Sequence, residues 1–299
     1  MSGVPGDVAR LARERDEKRK EKDYAAADAL RDRIRELGYD VTDTPEGGKL
    51  EPVAAPGEQR LSPREVASVL DEPAAFDFSV HWIVQGWPGD VLRGIEALGR
   101  HSGQHTAQQV IVDCARTDPS FWPEDVELVP LERDFGWGAG RNAGLRRAAG
   151  RIVVVMDGSV EPAGDLLTPL AEALADPACG IAGPFGIVTD DLREFHESQG
   201  PEVDAIEGYL MAFRREILQT AGFFDEKFKF YRTADIEYSF RVKDLGLSAR
   251  VVPLPLERHE HRMWANTPEQ ERAKLSKRNF YRFLDRWRGR TDLTVAGRA

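Results

Sequence analysis

The 299-residue sequence predicts an α/β fold, a single domain with a mostly parallel central sheet flanked by helices and preceded by a small N-terminal helical hairpin. Three observations carry this. From about residue 76 onward, short β-branched runs alternate with helical stretches, the pattern of a parallel sheet with crossover helices packed on it. One run, residues 152–156, is unbroken and apolar, as a strand buried on both faces must be. Residues 7–37 instead are rich in Ala, Arg, Glu and Lys and read as two short helices.

Composition sets the outer bounds. Acids outnumber bases 51 to 41, a net charge of -10, which argues against a general nucleic-acid binder. Two cysteines, Cys114 and Cys179, lie far apart without metal-ligand spacing and read as buried thiols of a reducing compartment. The first twenty residues lack the apolar core of a signal peptide, and no run reaches the roughly 18 apolar residues that span a bilayer. A cytoplasmic protein is expected, with the inner face of the membrane as a peripheral location.

In chain order, Asp23 is placed to cap the second helix and Gly38 to end it, and Leu30, Ile34 and Leu37 share a helical face beneath Ala26 and Ala27. Residues 50–75, punctuated by Pro52, Pro56, Gly57, Pro63 and Pro73, read as a linker. One short helix is expected inside it, from a capping box of Ser62 and Glu65 with Pro63 at the first helical position. The domain then runs over 76–292. Strands are expected at 80–84, 109–112 and 126–130, with a helix at 90–98. The second strand ends in Asp113 and the 152–156 strand in Asp157, so both acids belong on one rim of the sheet, where open α/β sheets bind ligands. Between them, residues 135–142 carry three glycines at alternate positions and read as a turn that lets backbone approach a ligand. The C-terminal helix opens with a second capping box, Thr267 and Gln270 around Pro268. Its stripe of Phe280, Phe283, Leu284 and Trp287 is expected to pack on the domain, although its many cations would also suit an anionic membrane.

Two resemblances rest on these residues. The 10–49 segment, through Arg15, Lys18, Lys22, Asp23, Ala27, Asp28, Arg31, Gly38, Asp43, Thr44, Pro45 and Gly47, resembles the C-terminal segment of cysteinyl-tRNA synthetases. With acids and bases nearly balanced there, the hairpin is expected to meet a protein partner, and RNA binding is not expected. Residues 79–285 resemble a family-2 glycosyltransferase with the GT-A fold. The matching pieces are Val112-Asp113, Gly140-Arg141-Asn142-Ala143-Gly144, the run ending in Asp157, Gly208 to Arg215, Gly222 to Glu226, Asp235-Ile236-Glu237 with Arg241, Gly246, and His259 or His261. This resemblance implies a nucleoside-diphosphate-sugar donor and an acceptor that is a glycan, a lipid-linked molecule or a small molecule. It implies that Asp113, Gly140, Asn142, Asp157 and Ser159 lie at the nucleotide sugar, Asp113 at the base and Asp157 near the ribose and diphosphate. Asp235 would be the general base.

The chemistry makes compatible demands. Departure of a diphosphate needs positive charge, and the acceptor hydroxyl needs a base within hydrogen-bond reach. Attack opposite the leaving group inverts the anomeric centre. Two departures from the family pattern bear on the first demand. Ser159 stands where a second, metal-holding acid is common, and Ala234 where a glutamate precedes the base. A divalent cation (Mg²⁺ or Mn²⁺) would then rest on Asp157, Glu161, His259 and His261, or the enzyme works without metal. A catalytically silent sugar-nucleotide or interaction module is the alternative. Gly138, Gly140 and Ala143 also fit a dinucleotide fingerprint, but it follows three expected strands instead of opening the first βαβ unit, so a hydride-transfer role is set aside.

Overall fold

The computed structural model describes residues 6–36, 39–44, 47–52 and 59–298. Its N-terminal part comprises α1 (Gly6–Lys20), α2 (Tyr24–Glu36), β1 (Tyr39–Thr44) and β2 (Gly47–Pro52). Asp23 does cap α2, accepting the Ala26 N–H at 3.2 Å. The expected stripe is half present, with Ile34 and Ala27 buried, while Leu37 and Gly38 lie outside the described residues. The antiparallel β1–β2 hairpin was not foreseen. It closes over the helices through Val41, which packs with Val8, Ala12 and Ile34, and through the Gly48 N–H, which donates to Asp16 Oδ2 at 2.9 Å.

The expected helix at Ser62 does not form. Only half of the capping box is made, the Ser62 N–H donating to Glu65 Oε2 at 2.8 Å, and the chain makes a single turn. Where 50–75 was expected as a linker, the part from Arg60 on is strapped to the domain. Leu61 bridges to Leu131, Val66 is buried, and the Val69 N–H donates to the Arg146 carbonyl.

The domain runs through β3 (Phe76–Val84), α3 (Pro88–His101), β4 (Ala107–Asp113), β5 (Glu127–Pro130), α4 (Trp137–Leu145), β6 (Gly150–Met156), β7 (Val160–Pro162) and α5 (Leu167–Ala175). It continues through β8 (Cys179–Gly183), β9 (Gly186–Val188), β10 (His196–Ser198), β11 (Glu202–Val203), β12 (Ala205–Ile206), β13 (Leu210–Arg214) and α6 (Ile217–Thr220). It ends with α7 (Ala234–Asp244), β14 (Ser248–Val251), β15 (Leu256–Arg258), α8 (Arg262–Asn266) and α9 (Glu269–Trp287).

Eight strands form one sheet in the order β11-β14-β8-β13-β6-β3-β4-β5. Its β6-β3-β4-β5 half is parallel, and β13 enters antiparallel between β6 and β8. Period-two alternation sends Phe78, Val80, Trp82 and Val84 of β3 toward α3 and α5, where Val91, Ile95, Leu167 and Leu170 meet them. On the other face, Val153 and Val155 of β6 meet Trp137 and Leu145 of α4 and Tyr238 and Val242 of α7. The result is a helix–sheet–helix sandwich, in which each large side chain removed from water stabilises by about 1.5–3 kcal/mol. Both cysteines are buried free thiols.

The stretch expected as a glycine-rich turn is mostly helix α4, and only Gly136 takes a left-handed φ, 92°. The glycines of α4 serve close approach instead. A Cβ on Gly144 would sit 2.8 Å from Val112 Cγ2, and one on Gly138 would sit 2.7 Å from the Asp225 carbonyl oxygen. At α9, Phe283, Leu284 and Trp287 pack against Leu192 and Phe240, so the stripe faces the domain as expected. Its capping box is not made, since Pro268 holds the N-cap without a side-chain bond. No described helix is long and apolar enough to cross a membrane.

Candidate active site

Parallel strands β3, β4 and β6 end on one rim, and β13, running the other way, begins there. Residues 207–209 are thereby delivered beside Asp157, whose N–H donates to the Tyr209 carbonyl at 2.9 Å. Two cavities meet at a shared wall of Trp137, Asp157, Tyr231 and His261. The smaller is lined by Gln85, Gly86, Trp87 and Ser159 from the ends of β3 and β6. The larger, about 600 Å³, is lined by Glu207, Tyr209, Arg232, Asp235, Glu197 and Lys277. Two non-glycine residues hold left-handed backbone on this cleft, Trp87 (φ 52°) before α3 and Thr233 (φ 72°) before α7. Strain of about 1–3 kcal/mol per such residue persists where the surroundings over-determine the backbone, as at binding sites.

Asp157 closes a tight turn. Its Oδ1 accepts the Ser159 N–H at 2.9 Å and the Ser159 hydroxyl at 2.5 Å, so the serine is turned into the aspartate. Asp157 Oδ2 lies 3.7 Å from His261 Nε2. His261 caps α8, its Nδ1 accepting the Trp264 N–H at 3.1 Å. A neutral imidazole whose Nδ1 accepts must carry its proton on Nε2, so the nitrogen facing Asp157 is a donor with no lone pair for an ion. Glu161 is engaged elsewhere, 3.2 Å from Arg93, 3.6 Å from Arg100 and 2.9 Å from His259 Nε2.

The four expected metal ligands therefore separate into two pairs, Asp157 with His261 and Glu161 with His259. Among the described residues, the side chains close enough to share an ion are Glu161, Glu257 and His259, at the exposed β7–β15 ribbon. The arginines already offset the charge of Glu161. This donor set does not fit a divalent cation at Asp157.

Asp113, Gly140 and Asn142 line neither cavity. Asp113 is fully buried, its carboxylate accepting from the Ala115 and Thr117 N–H groups at 2.9 Å, from the Thr117 hydroxyl at 3.1 Å and from Arg60 at 3.3 Å. Asn142 clamps the Phe224 backbone with both ends of its amide, at 2.9 and 3.0 Å. Gly140 packs flat against Ile83. These three shape the rim from behind. Beneath it, Arg141 donates to the carbonyls of His81 (2.9 Å) and Met156 (3.0 Å), and burial pushes its pKa down to about 10 while Asp157 holds it up.

Asp235 faces the larger cavity. Its Oδ2 accepts the Gly208 N–H at 2.8 Å and its Oδ1 the Ile236 N–H at 2.9 Å. Burial raises its pKa, against the pull of those two N–H groups. Glu237, the neighbouring acid on α7, is buried between Arg241 and Arg286, each at 2.9 Å, and is spent on structure. The site residue that sequence reasoning did not single out is Glu207. It is half-buried and lines the same cavity, and burial, then repulsion from Asp235, pushes its carboxyl up to about 7. An acid preceding a strand carries no site signal under a rule written for parallel strands, whereas β13 begins where its neighbours end.

With this geometry in place, comparison with known proteins locates it. Residues 106–240 match Glycosyl transferase family 2. The family 2 segment runs from β4 to α7 and includes Asp113, Asp157, Glu207 and Asp235. In fold, the chain is similar to the crystal structure of GalNAc-T7 with UDP, GalNAc and Mn²⁺, with a TM-score of 0.59 and 16% identity over 73% of this chain and 49% of that one. Residues 1–49 match the cysteinyl-tRNA ligase anticodon binding domain. There the chain is 55% identical over 47 residues to the cysteine–tRNA ligase of Methanosarcina mazei and 41% identical over 46 residues to that of Lactobacillus helveticus. These matches span 16% and 15% of this chain and 10% of each ligase.

Proposed function

We propose that the protein is an inverting glycosyltransferase that moves a sugar from a nucleoside diphosphate to an acceptor hydroxyl. The observation that carries this reading is the two-chambered cleft divided at Asp157, with a carboxylate, Asp235, on the wall of the larger chamber. In this reading the nucleotide lies along the open rim at the ends of β3 and β6, beside Asp157. The larger chamber has the size for a sugar and its acceptor. The acceptor oxygen attacks the anomeric carbon from the face opposite the diphosphate, whose bond breaks as the new one forms. Asp235, ionised and fixed by Gly208 and Ile236, accepts the hydroxyl proton. The Nε2–H of His261 and the guanidinium of Arg232 line the same cleft and suit the growing charge on the diphosphate.

The arm of residues 6–52 would dock a protein partner. Several of its cations are already paired with its own acids, Arg10 with Glu14, Lys18 with Glu21 and Arg31 with Asp40, which leaves less charge for a phosphate backbone. A silent binding module remains the second reading, favoured by the commitment of Ser159 to Asp157.

Titration with UDP, GDP, dTDP and NAD, each with and without Mn²⁺, tests the proposal. One nucleoside diphosphate should bind, NAD should not, and Mn²⁺ should change the affinity by less than about tenfold, 1.4 kcal/mol. Ser159→Asp should enlarge the metal response. Binding of NAD alone, or of none of the four, would refute the reading.

A further inference from the structure

The larger chamber, about 600 Å³, is lined by two cations that the reaction proposed above does not use: Arg193, from the loop between β9 and β10, and Lys277, from α9. Acids outnumber bases in this sequence, yet neither cation forms an ion pair or donates a side-chain hydrogen bond among the described residues. Lys277 only rests over the Tyr281 ring, 6.0 Å from its centroid. On the same helix Arg282 and Arg286 are paired, with Asp225 and Glu237. Neither Arg193 nor Lys277 lines the smaller chamber, where the nucleotide is placed.

The two cations are carried on one apolar joint. Leu192, just before Arg193, is buried with Phe283 of α9, and Phe195, just after it, meets the Phe283 ring edge-on at 5.8 Å. The loop is turned by Asp191, whose Oδ1 accepts the Arg193 and Glu194 N–H groups at 2.8 and 3.0 Å, and by Thr189 Oγ1, which accepts the Leu192 N–H at 2.9 Å. Leu192 holds a left-handed φ of 65°, strain that its packing must offset. Lys277 lies three residues before Phe280 on α9, hence on the same helix face, and Phe280 belongs to this joint. So does Ile236, the neighbour of Asp235, and the wall that carries the cations therefore adjoins the proposed base. The Ser276 hydroxyl lines the same chamber, its oxygen buried without a partner among the described residues.

We propose that the acceptor carries a phosphate group, and that Arg193 and Lys277 bind it while a hydroxyl of the same molecule meets Asp235. This names the acceptor class of the glycosyltransferase reading and rests on that reading. Two cations match the two negative charges of a phosphomonoester, where a carboxylate would balance only one. The guanidinium fork grips two phosphate oxygens and the ammonium adds a point charge. The chamber's unpaired acids set the position. Glu197 on β10 and Glu207 before β13 would repel an anion, so the phosphate belongs at the wall of the loop and α9.

The test titrates the full chain, saturated with whichever of UDP, GDP and dTDP it binds, with glucose 6-phosphate, inorganic phosphate, glucuronate and glucose as probes, by calorimetry. Saturation keeps the probes out of the diphosphate position. Both phosphates should bind, more weakly as salt rises, and glucose should not. Arg193→Gln and Lys277→Gln should each weaken glucose 6-phosphate by about tenfold, with nucleotide affinity and melting temperature close to the parent's, since both side chains are exposed. Glucose 6-phosphate held as tightly by the double glutamine variant as by the parent, or bound only when nucleotide is absent, overturns the proposal and leaves the glycosyltransferase reading standing. Glucuronate bound as tightly as glucose 6-phosphate overturns the assignment to phosphate. Should none of the nucleoside diphosphates bind, the glycosyltransferase reading fails and the acceptor assignment falls with it, whatever the probes do.

Discussion

In the proposed reaction Asp235 would do two jobs that a single substitution cannot separate cleanly. As a carboxylate it offers an acceptor oxygen to each of two backbone N–H groups, Gly208 and Ile236. An asparagine has one oxygen and would set its amide donor against one of those N–H groups. Asp235→Asn should therefore cost about 1–3 kcal/mol in stability as well as about 10²–10⁴ in transfer rate. Thermal melting beside a rate measurement checks both, and a variant that transfers sugar as fast as the parent rules Asp235 out as the base. Glu207 makes a separate claim on stability. Its carboxyl sits at about 7 in the folded chain against an ordinary 4.5, so the folded state holds more protons than the unfolded one between those values. Stability must then fall as pH rises through that window. Urea midpoints at pH 5 and pH 8 should drop further in the parent than in Glu207→Gln, and equal drops would mean that Glu207 titrates normally.

Among the elements, those with strong periodicity were legible and those set by contacts were not. Residues 152–156 had to be a buried strand, and observed β6 extends them by only two residues. The glycines before Asn142 were read as a turn because sequence alone does not distinguish a glycine needed for φ from one needed for close approach. The neighbours that decide this, Asp225 for Gly138 and Ile83 for Gly140, lie far away in sequence. The two capping boxes show the same limit. Glu65 reaches back to Ser62 without a helix following, because the chain there is drawn across the domain by Leu61 and Val66. The strap they belong to carries Arg60 to the buried Asp113. Deleting residues 1–58 should leave a folded, nucleotide-binding domain. Deleting 1–75 removes the partner of a buried carboxylate and should cost about 3 kcal/mol or more. Circular dichroism melts of the two truncations decide this, and equal stabilities would show the strap to be passive.

At the scale of the whole molecule, Val8, Ala12, Ile34 and Val41 share a small core among the described residues of 6–52, and the segment matching family 2 lies within the helix–sheet–helix sandwich. By itself the sequence determined the class of that domain, the rim to which Asp157 belongs and the resemblance of both parts, since these follow from local periodicity and from short ordered motifs. Only the tertiary structure decided which residues share a cavity. It drew Asp113 and Asn142 into supporting bonds, split the expected metal ligands into two pairs and brought Glu207 to Asp235. The reason lies in strand direction: β13 runs opposite to its neighbours, so the residues before it, not after it, reach the cleft. Direction within a sheet is fixed by partners distant in sequence, and no local pattern of residues encodes it.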